Sequence, residues 1–269
     1  MQAISAKLFS LSATVLFFAA MGLRLSVLLF NLSIGAVWVY YLLLGAGVVL
    51  LAVKAFKTVS YERAFPQRPS PWVHIAALLA ALGFFVDFVH KCVDAYNFME
   101  NRVYQSAYFV IPICAVALFA LISCLYFCAV AISYGNKGYD FRQLGLMHIV
   151  PLLWAIAQVL TVMDKSADVR SDVDSLLKIL VYIFILGFFY CFSCEIESSK
   201  SVKPVTLFCA DGFAYLSAGL FFSRAMLLAA GTKPFDGCDG ITYAAIFLVS
   251  IYAFAFKVSI DNKIVCKEI

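Results

Sequence analysis

The chain has 269 residues, of which 64% are hydrophobic and 13% are charged, and its formal net charge is +4. Soluble domains carry roughly 25% charged residues, and the mean hydropathy of this chain is +0.95. These values exclude a soluble globular protein. The excess of basic residues lies in short segments between apolar runs, so it does not indicate a nucleic-acid partner. The composition predicts a multi-pass membrane protein.

Eight apolar runs are long enough to cross a bilayer, since a hydrocarbon core of about 30 Å needs about 20 helical residues. We therefore expect an all-α, polytopic transmembrane helical bundle that forms a single integral membrane domain over residues 1–269. The predicted helices span residues 7–23, 34–54, 71–93, 104–132, 144–163, 176–196, 205–230 and 241–260.

The basic residues predict the orientation of these helices, because Lys and Arg are enriched in cytoplasmic loops. With the N-terminus in the cytoplasm, 11 Lys and Arg residues fall on the inner side and 5 on the outer side. The acidic segment 164–174, with four Asp, then lies outside. Both termini are thus predicted to be cytoplasmic.

The first helix has an alternative interpretation as a signal peptide. Lys7, an apolar run and the small residues Ala19, Ala20 and Gly22 fit such a segment. Its cleavage would leave seven helices with the N-terminus outside. A retained helix is commoner in multi-span proteins, so eight helices remain the prediction.

The third helix carries the densest set of charged residues: Asp87, His90, Lys91 and Asp94. Their spacing of three or four residues places them on one helix face. Asp87 is predicted to pair with Lys91, and His90 with Asp94. Charges inside a bilayer are costly and usually functional, although a self-neutralising pair could also serve packing or insertion.

Further polar candidates lie on later helices. Gln158 on the fifth helix is expected to avoid lipid, and Lys178 begins the sixth helix near the outer side. Arg224 on the seventh helix lies at a similar depth, and Arg24 ends the first helix there. Together with the third-helix set, these residues could line an outward-facing polar vestibule, whereas Lys178 could instead extend to the headgroups.

Asp211 and Gly212 on the seventh helix allow two interpretations. An acid beside a helix-weakening glycine can mark an interrupted helix that binds an ion. Alternatively, Asp211 lies close enough to the inner headgroups to be hydrated, which we favour. Lys257 on the last helix is predicted to extend to the inner surface rather than to carry a chromophore.

The nine cysteines mostly lie inside apolar runs and act there as small apolar residues. Cys191 and Cys194 have CxxC spacing only, and Cys124 and Cys128 are one turn apart. Cys92 and Cys238 both fall on the predicted outer side, where a disulfide is conceivable but not our prediction.

No nucleotide-binding, zinc-binding or hydrolase motif is present in the sequence. We therefore predict no catalytic residue, cofactor or metal, and we favour a non-enzymatic role. The sequence favours a transporter or channel for a small solute or ion, with a polar path formed by Asp87, His90, Lys91, Asp94, Arg224, Asp211, Lys178 and Gln158.

Two other functions stay open: a membrane sensor or assembly subunit, and a membrane enzyme acting on a lipid. The expected partners are the lipid bilayer, a small solute or ion, and a membrane-protein partner or second copy of the chain, but not nucleic acid. The expected location is a cell membrane, with the bacterial plasma membrane favoured.

Overall fold

The structure, a computed structural model, describes residues 2–30, 34–57, 70–100, 110–135, 141–166, 173–198, 202–229 and 240–265. In these ranges the chain is helical except at Ser70, Val202 and Lys203. The α-helices are α1 (Gln2–Phe30), α2 (Ile34–Lys57), α3 (Pro71–Glu100), α4 (Val110–Gly135), α5 (Val150–Ser166), α6 (Val173–Ser198), α7 (Pro204–Ala229) and α8 (Gly240–Val265).

Eight helical segments of the described residues are long and apolar enough to span a membrane, and the fifth of them, Leu144–Thr161, begins before α5. Helices suit a bilayer because every backbone hydrogen bond is made within the segment. The chain is thus a multi-pass helical membrane protein, as predicted. The eight spans of the described residues place the start of α1 and the end of α8 on the same membrane face, which we call the termini face.

Helix starts follow local sequence signals. Pro71 and Pro204 are the first residues of α3 and α7, where the missing proline N–H costs no hydrogen bond. The carbonyl of Ser70 accepts a hydrogen bond from the His74 N–H at 2.9 Å and so closes the first turn of α3.

The predicted fifth helix was wrong in its first turns. Residues Phe141–Ile149 form a 3₁₀ segment, and Gly145 within it has φ 51° and ψ −122°, a conformation that favours glycine. Pro151 then lies in the first turn of α5, where proline is tolerated.

Six helices form a closed ring. In chain order, each helix from α3 to α8 packs against the next, and α8 packs against α3. Outside this ring, α1 and α2 pack against each other, and both pack against α7. The helix α7 is therefore shared by the ring and the outer pair, and its apolar window has the largest buried share of the eight spans.

The interior of the ring is filled by aromatic side chains. Phe84 stacks on Phe127 with ring centroids 5.3 Å apart and meets Trp154 edge-on at 4.8 Å. Phe127 in turn contacts Tyr252 at 4.8 Å and Phe189 at 6.1 Å. These rings join α3, α4, α5, α6 and α8 into one apolar core.

Close helix crossings need small residues. Ala76, Ala77, Ala80 and Ala81 on α3 are buried, as expected for a stripe that lets backbones approach. Gly83 lies at the contact that closes the ring, since a Cβ there would be 2.8 Å from the Ala245 carbonyl oxygen of α8.

Candidate functional site

Asp87 binds α5 rather than its own helix. Its side chain is buried, and Oδ2 accepts hydrogen bonds from Trp154 Nε1 at 2.8 Å and Gln158 Nε2 at 2.9 Å. The predicted ion pair between Asp87 and Lys91 was wrong, because Lys91 Nζ contacts Asp94 Oδ2 at 3.5 Å. The two α5 donors hold Oδ2 of Asp87 inside the bundle, whereas Lys91 and Asp94 pair nearer the end of α3.

The other predicted pair on α3 is confirmed. His90 Nδ1 lies 3.4 Å from Asp94 Oδ2. His90, Lys91 and Asp94 thus form a cluster on the last three turns of α3, and Asp94 is its most accessible member.

Three buried cations lie toward the face opposite the termini, and two of them share a contact. Arg24 Nε on α1 donates to Ser223 Oγ on α7 at 3.2 Å. Arg224 and Lys178 both contact the ring of Tyr243, with Cζ at 5.3 Å and Nζ at 5.5 Å from its centroid. An aromatic face attracts cations electrostatically, so Tyr243 brings α6 and α7 charges to one place.

Asp211 lies in a different environment from either prediction. The helix α7 continues through Gly212, so it is not interrupted, and Asp211 is only 6% exposed. Its Oδ1 accepts a hydrogen bond from Lys257 Nζ at 2.6 Å, and its Oδ2 lies 3.8 Å from Lys54 Nζ. The buried carboxylate is therefore stabilised by cations from two neighbouring helices.

Lys257 does not extend to the membrane surface, so that prediction was also wrong. Its side chain is 8% exposed and points at α7. Pairing offsets part of the desolvation cost of burying a charge, which explains why Lys257 turns inward. Gly212 has a packing role, because the Phe184 ring occupies the space that a Cβ would need.

A pocket of about 390 Å³ lies between α1, α2, α7 and α8. Its charged lining residues are Lys54, Asp211 and Lys257. Small residues of α7, Ala214 and Ala218, line it next to Asp211. The aromatic lining residues are Phe17, Phe18, Tyr215, Phe247 and Phe254.

The pocket opens sideways. Among the described residues, α1 packs closely on α2 and α7 but not on α8, so α7 lies between α1 and α8 at the base of the pocket. At the two edges, Phe18 of α1 is 68% exposed and Phe254 of α8 is 49% exposed. An opening between these two edges would face acyl chains in a bilayer.

The structure separates the candidate path into four groups. Asp87 joins Gln158, the His90–Asp94 cluster stays on α3, and Lys178 joins Arg224. Of the eight candidates, Asp211 alone lines the pocket, and it does so with Lys54 and Lys257.

The two lysines of the pocket were not among the sequence candidates. Lys54 was counted with the basic residues of the inner side, at the end of the predicted second helix, and Lys257 was predicted to extend to the inner surface. A position near the end of a span is compatible with either solvent or the bundle interior. One feature of the sequence could have identified them. The seventh span contains one acid, and the second and eighth spans each carry a basic residue at a similar depth in the membrane.

Glu195 on α6 is a third buried acid, and sequence reasoning missed it. Its Oε1 accepts a hydrogen bond from the Lys203 N–H at 2.8 Å and from Thr206 Oγ1 at 2.5 Å. A carboxylate is favourable at a helix N-terminus, where N–H groups lack helical partners. Glu195 thus stabilises the start of α7 from the preceding helix.

The cysteines provide no evident chemistry in the part of the chain that the structure describes. Cys191 is partly buried and Cys194 is exposed on α6. The conceivable partner of Cys92, Cys238, lies outside the described residues. Within the described ranges, His, Cys, Asp and Glu side chains form no group of three that could hold a metal ion.

Comparison with protein-family models, with curated proteins and with solved structures finds no match. The described residues establish a multi-pass helical membrane protein with a ring of six helices and two outer helices. Beside α7, they place a pocket with three charged lining residues and exposed phenylalanines at its edges.

Proposed function

We propose that this protein is a membrane carrier for a small solute, and that the solute binds in the pocket beside α7. The observation that carries the proposal is the Lys54–Asp211–Lys257 group, which places three charges on the wall of a pocket otherwise lined by apolar, aromatic and hydroxyl side chains. Concave, mostly apolar pockets with a few convergent polar groups are typical ligand sites.

The helix α7 supports transport rather than binding alone. Asp211 and Arg224 are 13 residues apart on α7, which corresponds to about 20 Å along an α-helix. Charged groups therefore occur on one helix at two depths, with Ala214, Ala218 and Gly219 between them. A Cβ at Gly219 would contact Leu44 of α2 and Met21 of α1, so a solute that moves from the first level to the second requires the outer pair to shift against α7.

The path follows α7 and not the centre of the ring. Phe84, Phe127 and Tyr252 fill the ring interior, so a solute would have to displace the core. The outer pair α1 and α2 contacts the ring at α7. A shift of this pair against α7 would change access to the pocket without disrupting the aromatic core.

The proposal is tested by labelling a cysteine in the pocket from each side of the membrane. In a variant without native cysteines, Ala214→Cys is treated with a membrane-impermeant thiol reagent in right-side-out and in inverted vesicles. A carrier exposes its binding site alternately to the two sides, so we expect labelling from both.

A matched control is Ala80→Cys, since Ala80 is another helix alanine but is fully buried in the ring. This cysteine should stay unlabelled from either side. Labelling of Ala214→Cys from one side only would contradict the carrier proposal and favour the sensor or assembly interpretation.

A further inference from the structure

We propose that the pocket binds a single-chain amphipathic anion, namely a carboxylate attached to one alkyl chain. This inference rests on the proposed function in one respect, that the pocket beside α7 is the binding site. It adds the chemical class of the ligand, which follows from the charge, the wall and the opening of the pocket.

The charge of the wall favours an anion. The charged lining residues are two lysines and one aspartate, which sum to +1. Lys257 lies at hydrogen-bond distance from Asp211, at 2.6 Å, whereas Lys54 is 3.8 Å away. A direct hydrogen bond requires about 2.7–3.2 Å, so of the two lysines only Lys257 is hydrogen-bonded to Asp211. A ligand carboxylate that approaches Lys54 therefore leaves the Lys257–Asp211 hydrogen bond intact.

The remaining wall favours an alkyl chain. Beyond the three charges, α1 contributes Phe17 and Phe18, and α8 contributes Phe247, Ile251 and Phe254. These side chains extend from the charged group to the opening between α1 and α8. An amphiphile that enters from the bilayer would keep its chain against these residues while its head reaches the lysines.

The volume of the pocket favours a ligand with one alkyl chain over a ligand with two. About 390 Å³ lies near the lower end of the roughly 300–1,000 Å³ of small-ligand pockets. A single chain with a compact head is therefore the better match, and the chain end can extend through the opening into lipid.

The test measures binding of radiolabelled laurate to the purified full-length protein in nanodiscs of zwitterionic lipid, with empty nanodiscs subtracted. Unlabelled laurate should compete. Dodecyltrimethylammonium has the same chain length and a positive head, and butyrate has the same head and a short chain. Neither should compete at the laurate concentration that displaces half of the label.

Variants of the charged group have opposite expected effects. Lys54→Met and Lys257→Met should each weaken laurate binding about tenfold, since hydrogen bonds to charged groups contribute about that factor. Asp211→Asn removes the competing carboxylate and should strengthen binding. Lys178→Met is the matched control, because Lys178 is a buried lysine that lies outside the pocket, and its binding should equal wild type.

Equal competition by dodecyltrimethylammonium, or wild-type affinity in Lys54→Met, would overturn the inference. If Lys257→Met fails to fold, Lys54→Met still tests the inference, because this variant keeps the contact between Lys257 and Asp211. Failure here is distinguishable from failure of the carrier proposal: cysteine labelling from both sides without laurate binding would refute only the ligand class, whereas laurate binding with labelling from one side would refute only transport.

Discussion

Asp87 shows how a buried acid can be structural. Its Oδ2 accepts from Trp154 Nε1 and Gln158 Nε2 and so joins α3 to α5. Asp87→Ala would leave both donors without this acceptor, and an unsatisfied buried group costs about 1–3 kcal/mol. We expect the folded protein to be lost at a lower temperature than wild type in detergent. Size-exclusion chromatography after heating measures this temperature.

Asp87→Asn is the matched control, because its amide oxygen can still accept both hydrogen bonds. It should retain more stability than Asp87→Ala. Equal destabilisation by the two variants would show that the negative charge, and not the acceptor, stabilises the contact between α3 and α5.

Residue spacing predicted shared helix faces but not every partner. The pairing of His90 with Asp94 follows from their i,i+4 spacing and is confirmed. Asp87 and Lys91 have the same spacing, yet Asp87 binds α5. Spacing within one helix contains no information on the donors that a neighbouring helix offers, and these donors decided the outcome.

At the scale of the helix, Gly83 sets the approach of α3 to α8. A Cβ at this position would lie 2.8 Å from the Ala245 carbonyl oxygen and 3.1 Å from Leu248 Cβ. The nearest obstacle is backbone and cannot rotate away, so Gly83→Ala should push the helices apart. Overpacking of this kind costs typically about 1–3 kcal/mol.

Gly45→Ala on α2 is the control, since a Cβ there would meet nothing within 4 Å. Alanine is a better helix former than glycine by about 1 kcal/mol, so this variant should match or exceed wild-type stability. Thermal unfolding of both variants in detergent provides the comparison. Wild-type stability of Gly83→Ala would contradict the close crossing that completes the ring.

Helix bounds were predictable within a few residues at most ends. The predicted seventh helix, 205–230, corresponds to Pro204–Ala229, and the predicted eighth, 241–260, lies within Gly240–Val265. The apolar length needed to cross a bilayer fixes such bounds. The largest helix-start error in the described ranges was at residue 144, where apolar composition continues through the 3₁₀ segment and hides the change of conformation at Gly145.

At the scale of the whole molecule, the orientation in the membrane is a prediction from basic residues. Eleven Lys and Arg residues fall on the termini face and five on the opposite face. We therefore expect Ser199→Cys, between α6 and α7, to be labelled from the cytoplasm. Ser171→Cys, in the acidic segment 164–174, should be labelled from the other side.

Both variants are made without native cysteines and treated with the impermeant thiol reagent in intact cells and in inverted vesicles. The two positions are separated by α6 alone, so they form a matched pair. Labelling of both from the same side would contradict eight spans. Labelling with exchanged sides would invert the predicted orientation and place the pocket at the outer half.

By itself, the sequence determined that this protein lies in a membrane and where its spans are. A long uncharged run is most stable in the hydrocarbon core of a bilayer, and an α-helix satisfies the backbone hydrogen bonds there. Only the tertiary structure decided which charges meet. Asp211 on α7 meets Lys54 on α2 and Lys257 on α8, although α2 is far from both other helices in the chain. Their contact depends on how each helix is rotated about its axis and which neighbour it packs against, and both are set by side-chain packing across the whole bundle.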